Sequence, residues 1–339
     1  MDFVGSHILS VAQFSRLDVE RIFAVADLMV PFANRRRITS VLEGAILSNM
    51  FFEPSTRTRV SFGCAFNRLG GDVRETTEVK ASAIAKGESL HDFARVLSGY
   101  SDIIVMRHST EGSVAEFSET SRVPVINGGD GANEHPSQAL LDLYTIQKEL
   151  ASTQKGIDGI RIAVVGDLKN GRALHSLLKL LSVFNNLQIH LVSPPNLETP
   201  EDIVQILHDR NHRVEVFHNL TEGIEHVDIL YVTRTQEERF ESQQDADRYR
   251  GLFRINRQIY TQHCEPNTVI MHPLPRDSRE EAQELDEDLD EHPNLAIFRQ
   301  TDNGINIRMA LFALVMNVVD HIEDSAREVR WHSGVQQHN

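Results

Sequence analysis

The chain has 339 residues, 40% of them hydrophobic and 24% charged, which is the balance of an ordinary globular protein and too long for one small module. Acidic residues outnumber basic ones 49 to 34, for a formal net charge of −15. That argues against coating nucleic acid or binding an anionic membrane surface, both of which need a dense basic face. Two cysteines, Cys64 and Cys264, cannot form a disulfide framework or fill a structural zinc site alone, and they read as two buried small hydrophobes. Residues 1–14 lack the pattern of a signal peptide. The longest apolar stretch, 309–319, is broken by Asn317 and is too short to span a bilayer. The expectation is a soluble, cytoplasmic protein.

Apolar runs and helical stripes alternate along the chain. Residues 44–52 (GAILSNMFF) read as a buried strand, and 56–69 as a helix with Val60, Phe66 and Leu69 on one stripe, stopped by Gly70 and Gly71. Strands follow at 102–106 (DIIVM) and 124–127 (PVIN), then a helix over 138–150. The polar stretch 151–159 reads as a domain junction. Beyond it come strands at 161–165, 188–192, 214–217, 228–232, 268–271 and 295–298, with helices at 173–184 and 201–210, and a returning helix over 305–322. Repeated β-then-α units predict an α/β fold of two doubly wound domains, with parallel sheets flanked by helices. In such sheets ligands sit beyond the carboxyl ends of the strands, so functional residues should follow the apolar runs.

They do. Residues 51–59 read FFEPSTRTR and open a helix with Ser55 at the N-cap position. A helix N-terminus attracts anions, and Thr56, Arg57, Thr58 and Arg59 add hydroxyl and guanidinium donors suited to phosphate. Arg107 and His108 follow DIIVM. His135, Pro136, Ser137 and Gln138 open the next helix, where the imidazole is pushed towards its neutral form. In the second half, Asp167 to Arg172 follow one strand, Arg234, Thr235 and Gln236 another, and His272 to Arg276 (HPLPR) a third. Arginines there suit carboxylates, and backbone carbonyls held by prolines suit an amine. Neither GxGxxG nor GxxxxGK[ST] is present, nor is HExxH, CxxC, GxSxG or an EF-hand pattern. The chemistry therefore rests on hydrogen bonding and charge, with no metal and no cofactor. Residues 276–291 carry nine acids against two arginines and read as a solvated acidic helix or loop.

Seven ordered stretches together resemble the aspartate/ornithine carbamoyltransferase family over nearly the whole chain: FFEPSTRTR at 51–59, KASAIAKGE at 80–88, VMRH at 105–108, HPSQALLDLYTI at 135–146, GDLKNGRALHSL at 166–177, TRTQ at 233–236 and HPLPR at 272–276. The resemblance implies transfer of the carbamoyl group of carbamoyl phosphate to the amino group of L-aspartate, in pyrimidine biosynthesis, giving N-carbamoyl-L-aspartate and phosphate. It implies that Ser55, Thr56, Arg57 and Thr58, with Ser82 and Lys86, bind the phosphate. Arg107, His135 and Thr58 would contact the carbamoyl oxygen and Gln138 the carbamoyl nitrogen. Arg172, Arg234 and Gln236, with Lys86, would hold the aspartate, and the Leu274 and Pro275 carbonyls would contact amino groups. The residues expected to carry catalysis are Arg57, Thr58, Lys86, Arg107 and His135.

The resemblance also implies a homotrimer in which Ser82 and Lys86 reach the neighbouring subunit's site, and it leaves open a regulatory chain. It divides the chain into a carbamoyl-phosphate domain (1–150 plus 304–325), an aspartate domain (151–303) and a C-terminal tail (326–339), joined by helices that cross between domains. The alternatives are an ornithine-using transferase and a catalytically silent binding subunit. The ornithine family reads HCLP where this chain has Pro273 after His272, and Arg234 offers the second cation that a dicarboxylate needs.

Overall fold

A computed structural model of the chain describes residues 1–76, 87–151, 153, 155–240 and 242–331. The chain divides into two compact units, Met1–Ser137 with the segment from Asn303 onward, and Gln138–Asp302. Both breaks fall inside helices, Pro136–Ala151 and Ile297–Val315.

The first unit is built on a four-stranded parallel sheet in the order Asp72–Thr76, Ile46–Phe51, Ile103–His108, Val125–Asp130. Its central strands are buried nearly throughout, which is why they read as unbroken apolar runs instead of alternating ones. The helix Thr56–Arg68 crosses from the second of these strands to its neighbour. It ends where Gly70 turns with φ +95°, and a Cβ there would lie 2.5 Å from the Ser40 backbone. The long helix Arg16–Ala33, which no sequence expectation placed, starts in a reciprocal cap. Ser15 N–H donates to the Asp18 carboxylate at 2.8 Å, and the Ser15 hydroxyl accepts from Asp18 N–H at 3.3 Å. It buries Val19, Ile22, Phe23, Ala26 and Met29, a helical stripe.

The returning helix packs onto this unit through aromatics. Phe312 meets Phe66 and Phe62 edge-on, with ring centroids 5.0 and 6.0 Å away, and Arg308 lies 4.8 Å over the Phe62 ring while donating to the Ser61 hydroxyl at 2.8 Å. The helix begins at Ile297, so the strand expected at 295–298 is not formed. Leu295 makes one parallel bridge to Ile270 before the chain turns helical. Residues 327–328, expected in a separate tail, pair with Arg37 and Ile38 as a short antiparallel ladder.

The second unit carries a five-stranded parallel sheet in the order Val269–Met271, Ile229–Val232, Arg161–Val165, Gln188–Val192, Arg213–Phe217. Val165, Val192, Leu230, Val232 and Ile270 form its core with Ile255, Leu285 and Leu289. The last two come from the acidic stretch, which is a loop with one 3-10 turn at Glu287–Leu289, as one of the two expectations had it, but is not simply solvated. Its carboxylates meet arginines: Asp286 with Arg254, Asp290 with Arg276 at 2.7 Å, and Asp277 with Arg279. The two cysteines also differ from expectation. Cys64 is exposed on its helix, while Cys264 is half-buried and its thiol is pushed up to about 12 by loss of solvent.

Among the described residues, no single helix is long and apolar enough to cross a membrane. Because Phe312 is fully buried between two aromatic partners, Phe312→Ala should cost about 3–5 kcal/mol. Urea unfolding of the full chain measures this, and a loss below about 1 kcal/mol would show that the helix does not anchor the first unit.

Candidate active site

In each sheet the strand order reverses once, and a loop opens at that point. In the first sheet the reversal lies between Ile46–Phe51 and Ile103–His108, and in the second between Arg161–Val165 and Ile229–Val232. Ligands of open α/β sheets bind at such points. The residues after these four strands are among those singled out from the sequence.

After the first strand come Glu53, Ser55 and the helix start. Ser55 occupies the N-cap position with extended backbone, but its hydroxyl makes no capping bond. The first-turn N–H groups thus keep their attraction for an anion. Thr56 and Arg57 are exposed and Thr58 is buried. Arg59 is committed elsewhere, in an ion pair with Glu75, whose other oxygen accepts from Asn49 Nδ2 at 2.8 Å. Arg107, next to last in the neighbouring strand, is buried, with Nε 3.0 Å from the Glu53 carboxylate and a long 3.4 Å contact from Nη1 to the Gly128 carbonyl. The sheet register slips between Met106 and His108, an irregularity of the kind that re-aims a side chain. His135 is buried just ahead of Pro136. Its approach is fixed by Glu134, whose carboxylate accepts from Val11 N–H at 2.8 Å and from the Ser10 hydroxyl at 2.9 Å.

In the second unit Gln138 lies in the first turn of the helix, its amide donating to Asp142 at 2.8 Å. Arg172 is the first residue of the helix Arg172–Leu181. Arg234 and Gln236 follow the strand Ile229–Val232. One buried carboxylate holds these two loops together. Asp167 accepts from Asn170 N–H at 3.0 Å and Asn170 Nδ2 at 3.1 Å, and from Gln236 N–H at 3.0 Å. The approach of the loops requires glycine at 166, where φ is +124° and a Cβ would stand 2.1 Å from the Thr233 carbonyl. His175, kept neutral by burial, closes the same turn through Nε2 and the Leu168 carbonyl at 2.7 Å.

Next to Gln236, Glu237 takes Arg250 at 2.7 Å and Arg279 at 2.7 Å, so the acidic stretch braces this loop. The carboxyl of Asp277 is held low chiefly by its hydrogen bond from Arg279. Leu274 and Pro275 follow the strand Val269–Met271. Leu274 has φ +57°, a conformation costly for a branched side chain, and its N–H donates to His272 Nδ1 at 2.8 Å.

The structure therefore gathers Ser55, Thr56, Arg57, Thr58, Arg107 and His135 at the strand ends of the first unit. It gathers Arg172, Arg234, Gln236, Leu274 and Pro275 at those of the second, and Gln138 stands in the first turn of the helix Pro136–Ala151. Ser82 and Lys86 lie outside the described residues. The supporting carboxylates, Glu53, Glu134, Asp142 and Asp167, carried no role in the sequence reading. Asp167, directly after the strand and its glycine, is the one whose position was a readable signal.

Comparison with known proteins agrees with this architecture. Residues 6–148 match the model of the aspartate/ornithine carbamoyltransferase carbamoyl-P binding domain, and residues 158–315 that of the Asp/Orn binding domain. The chain thus belongs to the aspartate/ornithine carbamoyltransferase family. It is 69% identical to the aspartate carbamoyltransferase catalytic subunit of Saccharophagus degradans over 98% of both chains, and 45% identical to that of Methanocaldococcus jannaschii over 90% of this chain and 96% of the other. Among solved structures, the catalytic subunit of M. jannaschii aspartate transcarbamoylase superposes with a TM-score of 0.82 at 43% identity, covering 94% of this chain and 98% of that one. Trypanosoma cruzi aspartate transcarbamoylase in complex with carbamoyl phosphate and aspartate gives 0.84 at 37% identity, covering 93% and 98%.

The Asp167 bonds predict a specific lesion. Asp167→Ala would leave two backbone N–H groups without their acceptor, at about 1–3 kcal/mol each. Hydrogen exchange should quicken at the amides of Asn170 and Gln236 while the sheet amides keep their protection; unchanged exchange at both would show that other groups hold the loops.

Proposed function

We propose that this chain transfers the carbamoyl group of carbamoyl phosphate to the amine of L-aspartate, releasing N-carbamoyl-L-aspartate and phosphate. The observation that carries this reading is the pair of arginine-bearing switch points, one on each sheet, in a chain whose relatives are aspartate carbamoyltransferase catalytic subunits. The first unit's set suits carbamoyl phosphate. Ser55, Thr56, Arg57 and Thr58 surround the phosphate from the helix start, with Ser82 and Lys86 from the KASAIAKGE motif at 80–88. Arg107, His135 and Thr58 donate to the carbamoyl oxygen, and Gln138 meets the carbamoyl nitrogen.

The second set suits a dicarboxylate bearing an amine. Arg172, Arg234 and Gln236, with Lys86, bind the aspartate carboxylates, and the Leu274 and Pro275 carbonyls accept from amino groups. Attack by the neutral amine builds negative charge on the carbamoyl oxygen, which Arg107, His135 and Thr58 stabilise. Phosphate departs as an anion that Arg57 and Lys86 neutralise. The solved complexes of the T. cruzi relative with carbamoyl phosphate and with aspartate support this assignment of ligands. From the family resemblance of the motif at 80–88 we further infer a homotrimer in which Ser82 and Lys86 complete a neighbour's site, with a separate regulatory chain as a candidate partner.

Carbamoyl transfer to aspartate and to ornithine, assayed side by side, tests the reading. Product from aspartate alone is expected, and product from ornithine alone would overturn it. Arg57→Ala should lower kcat by about 10²–10³, as for loss of one preorganised donor to developing charge. Arg234→Ala should raise KM for aspartate far more than KM for carbamoyl phosphate. Turnover unaffected by Arg57→Ala would leave a binding subunit as the better description.

A further inference from the structure

Three side chains, from two helices and a strand, converge on one carboxylate. Asp142 is fully buried, one helical turn beyond Gln138. Its Oδ1 accepts from Gln138 Nε2 at 2.8 Å and from Gln300 Nε2 at 2.6 Å, and its Oδ2 accepts from the Tyr231 hydroxyl at 2.7 Å. All of these residues belong to the second unit. A carboxylate only accepts hydrogen bonds, so each amide that meets it must present its NH2 end. That settles which way round both glutamines lie, independently of any placement of their O and N atoms.

For Gln300 the far end confirms the direction, because its Oε1 accepts from the backbone N–H of His272 at 3.0 Å. The His272 ring continues the sequence of bonds. Its Nδ1 accepts from Leu274 N–H at 2.8 Å, and its Nε2 stands 2.8 Å from Glu284, which also accepts from Asp277 N–H at 3.2 Å. For Gln138 the consequence falls on the ligand. With NH2 spent on Asp142, the end directed away from the carboxylate is Oε1, an acceptor. An acceptor can take a hydrogen bond from an amino group and has nothing to offer a methyl group or a bare oxygen.

We propose that Asp142 is a positioning residue that fixes the polarity of Gln138 and, through Gln300, seats the 272–275 loop, so that the site selects an acyl phosphate whose carbonyl carries an amino group. This rests on the reading of Gln138 and Leu274 as the groups nearest the carbamoyl nitrogen. The discrimination is against acyl phosphates of the same size, such as acetyl phosphate, which every other donor in the site would treat alike. Leaving a buried polar group unmatched is what allows a site to reject a near-isostere strongly.

Asp142→Asn tests this. The new amide can donate to Gln138, which then turns its Oε1 inward and presents NH2 to the amino group of the substrate. KM for carbamoyl phosphate should rise about tenfold or more, as for one hydrogen bond replaced by two opposed donors. The inhibition constants of acetyl phosphate and inorganic phosphate, measured against carbamoyl phosphate, should move less than about threefold, because neither meets Gln138 through an N–H. The double variant Gln138→Glu with Asp142→Asn restores an acceptor on both sides of residue 138 and should recover much of the lost affinity.

A rise shared equally by all three ligands, or no rise at all, would overturn the proposal, as would a double variant no better than Asp142→Asn. Should Asp142→Asn fail to fold, Gln300→Met cuts the other arm without changing charge. It should raise KM for carbamoyl phosphate a few-fold and leave the phosphate inhibition constant alone, and an unchanged KM would again overturn it. Gln138→Ala separates the two levels of inference. If it leaves KM for carbamoyl phosphate unchanged, the reading of Gln138 itself fails; if it raises KM and Asp142→Asn does not, only the positioning role of Asp142 fails.

Discussion

A carboxylate taken out of water must collect donors, or it destabilises the fold by several kcal/mol. This chain meets that constraint repeatedly at the carboxyl ends of its parallel strands. Asp142 gathers two glutamine amides and a tyrosine hydroxyl, Asp167 gathers the backbone of two loops, and Glu134 gathers the N-terminal segment ahead of His135. Glu284 gathers His272 and the backbone at Asp277. Each of these acids is almost wholly buried, and each braces a segment that bears a residue assigned to a ligand. The burden of desolvation becomes a source of geometry, since a group surrounded by fixed donors fixes them in return. Tyr231 shows the coupling from the other side, its hydroxyl pushed well above its ordinary range by burial and by the neighbouring Asp142.

The same accounting explains how an acidic protein can serve two anionic substrates. The net charge of −15 is a property of the whole chain, and several of its acids are matched where they stand. The densest run, 276–291, pairs with Arg254, Arg276 and Arg279, and Glu237 ties Arg250 and Arg279 beside Gln236. Its leucines, Leu285 and Leu289, enter the core of the second unit. What a ligand meets is decided within a few ångströms by helix starts, guanidinium groups and fixed amides, and the total charge has little say in it.

Much of this was readable from the sequence for a physical reason. Strands buried on both faces must be apolar throughout, so runs such as RIAVV and DIIVM announce themselves, and the polar residues that follow them fall at the mouths of the sheets. The failures have reasons as well. The apolar run at 295–298 is too short for its period to separate strand from helix, and the structure absorbs its end into the helix from Ile297. The helix Arg16–Ala33 has a regular cap and stripe, but Pro31 inside it breaks the pattern by which a sequence announces a helix. Cys64 is exposed because a helix has an outer face that residue type alone does not reveal. Asp142 was invisible as a support because one of its partners, Gln300, lies 158 positions away, a pairing that only the fold creates.

If local, fixed donors govern binding, the decisive comparison is between anions of different shape at one ionic strength. KM for carbamoyl phosphate can be measured with ionic strength held constant, first by chloride alone and then with inorganic phosphate replacing part of the chloride. The account predicts that phosphate raises KM competitively at concentrations where chloride has no effect, because only phosphate fits the helix start at Ser55 and the Arg57 guanidinium. Equal sensitivity to the two salts would mean that diffuse charge governs binding, and the account would be wrong.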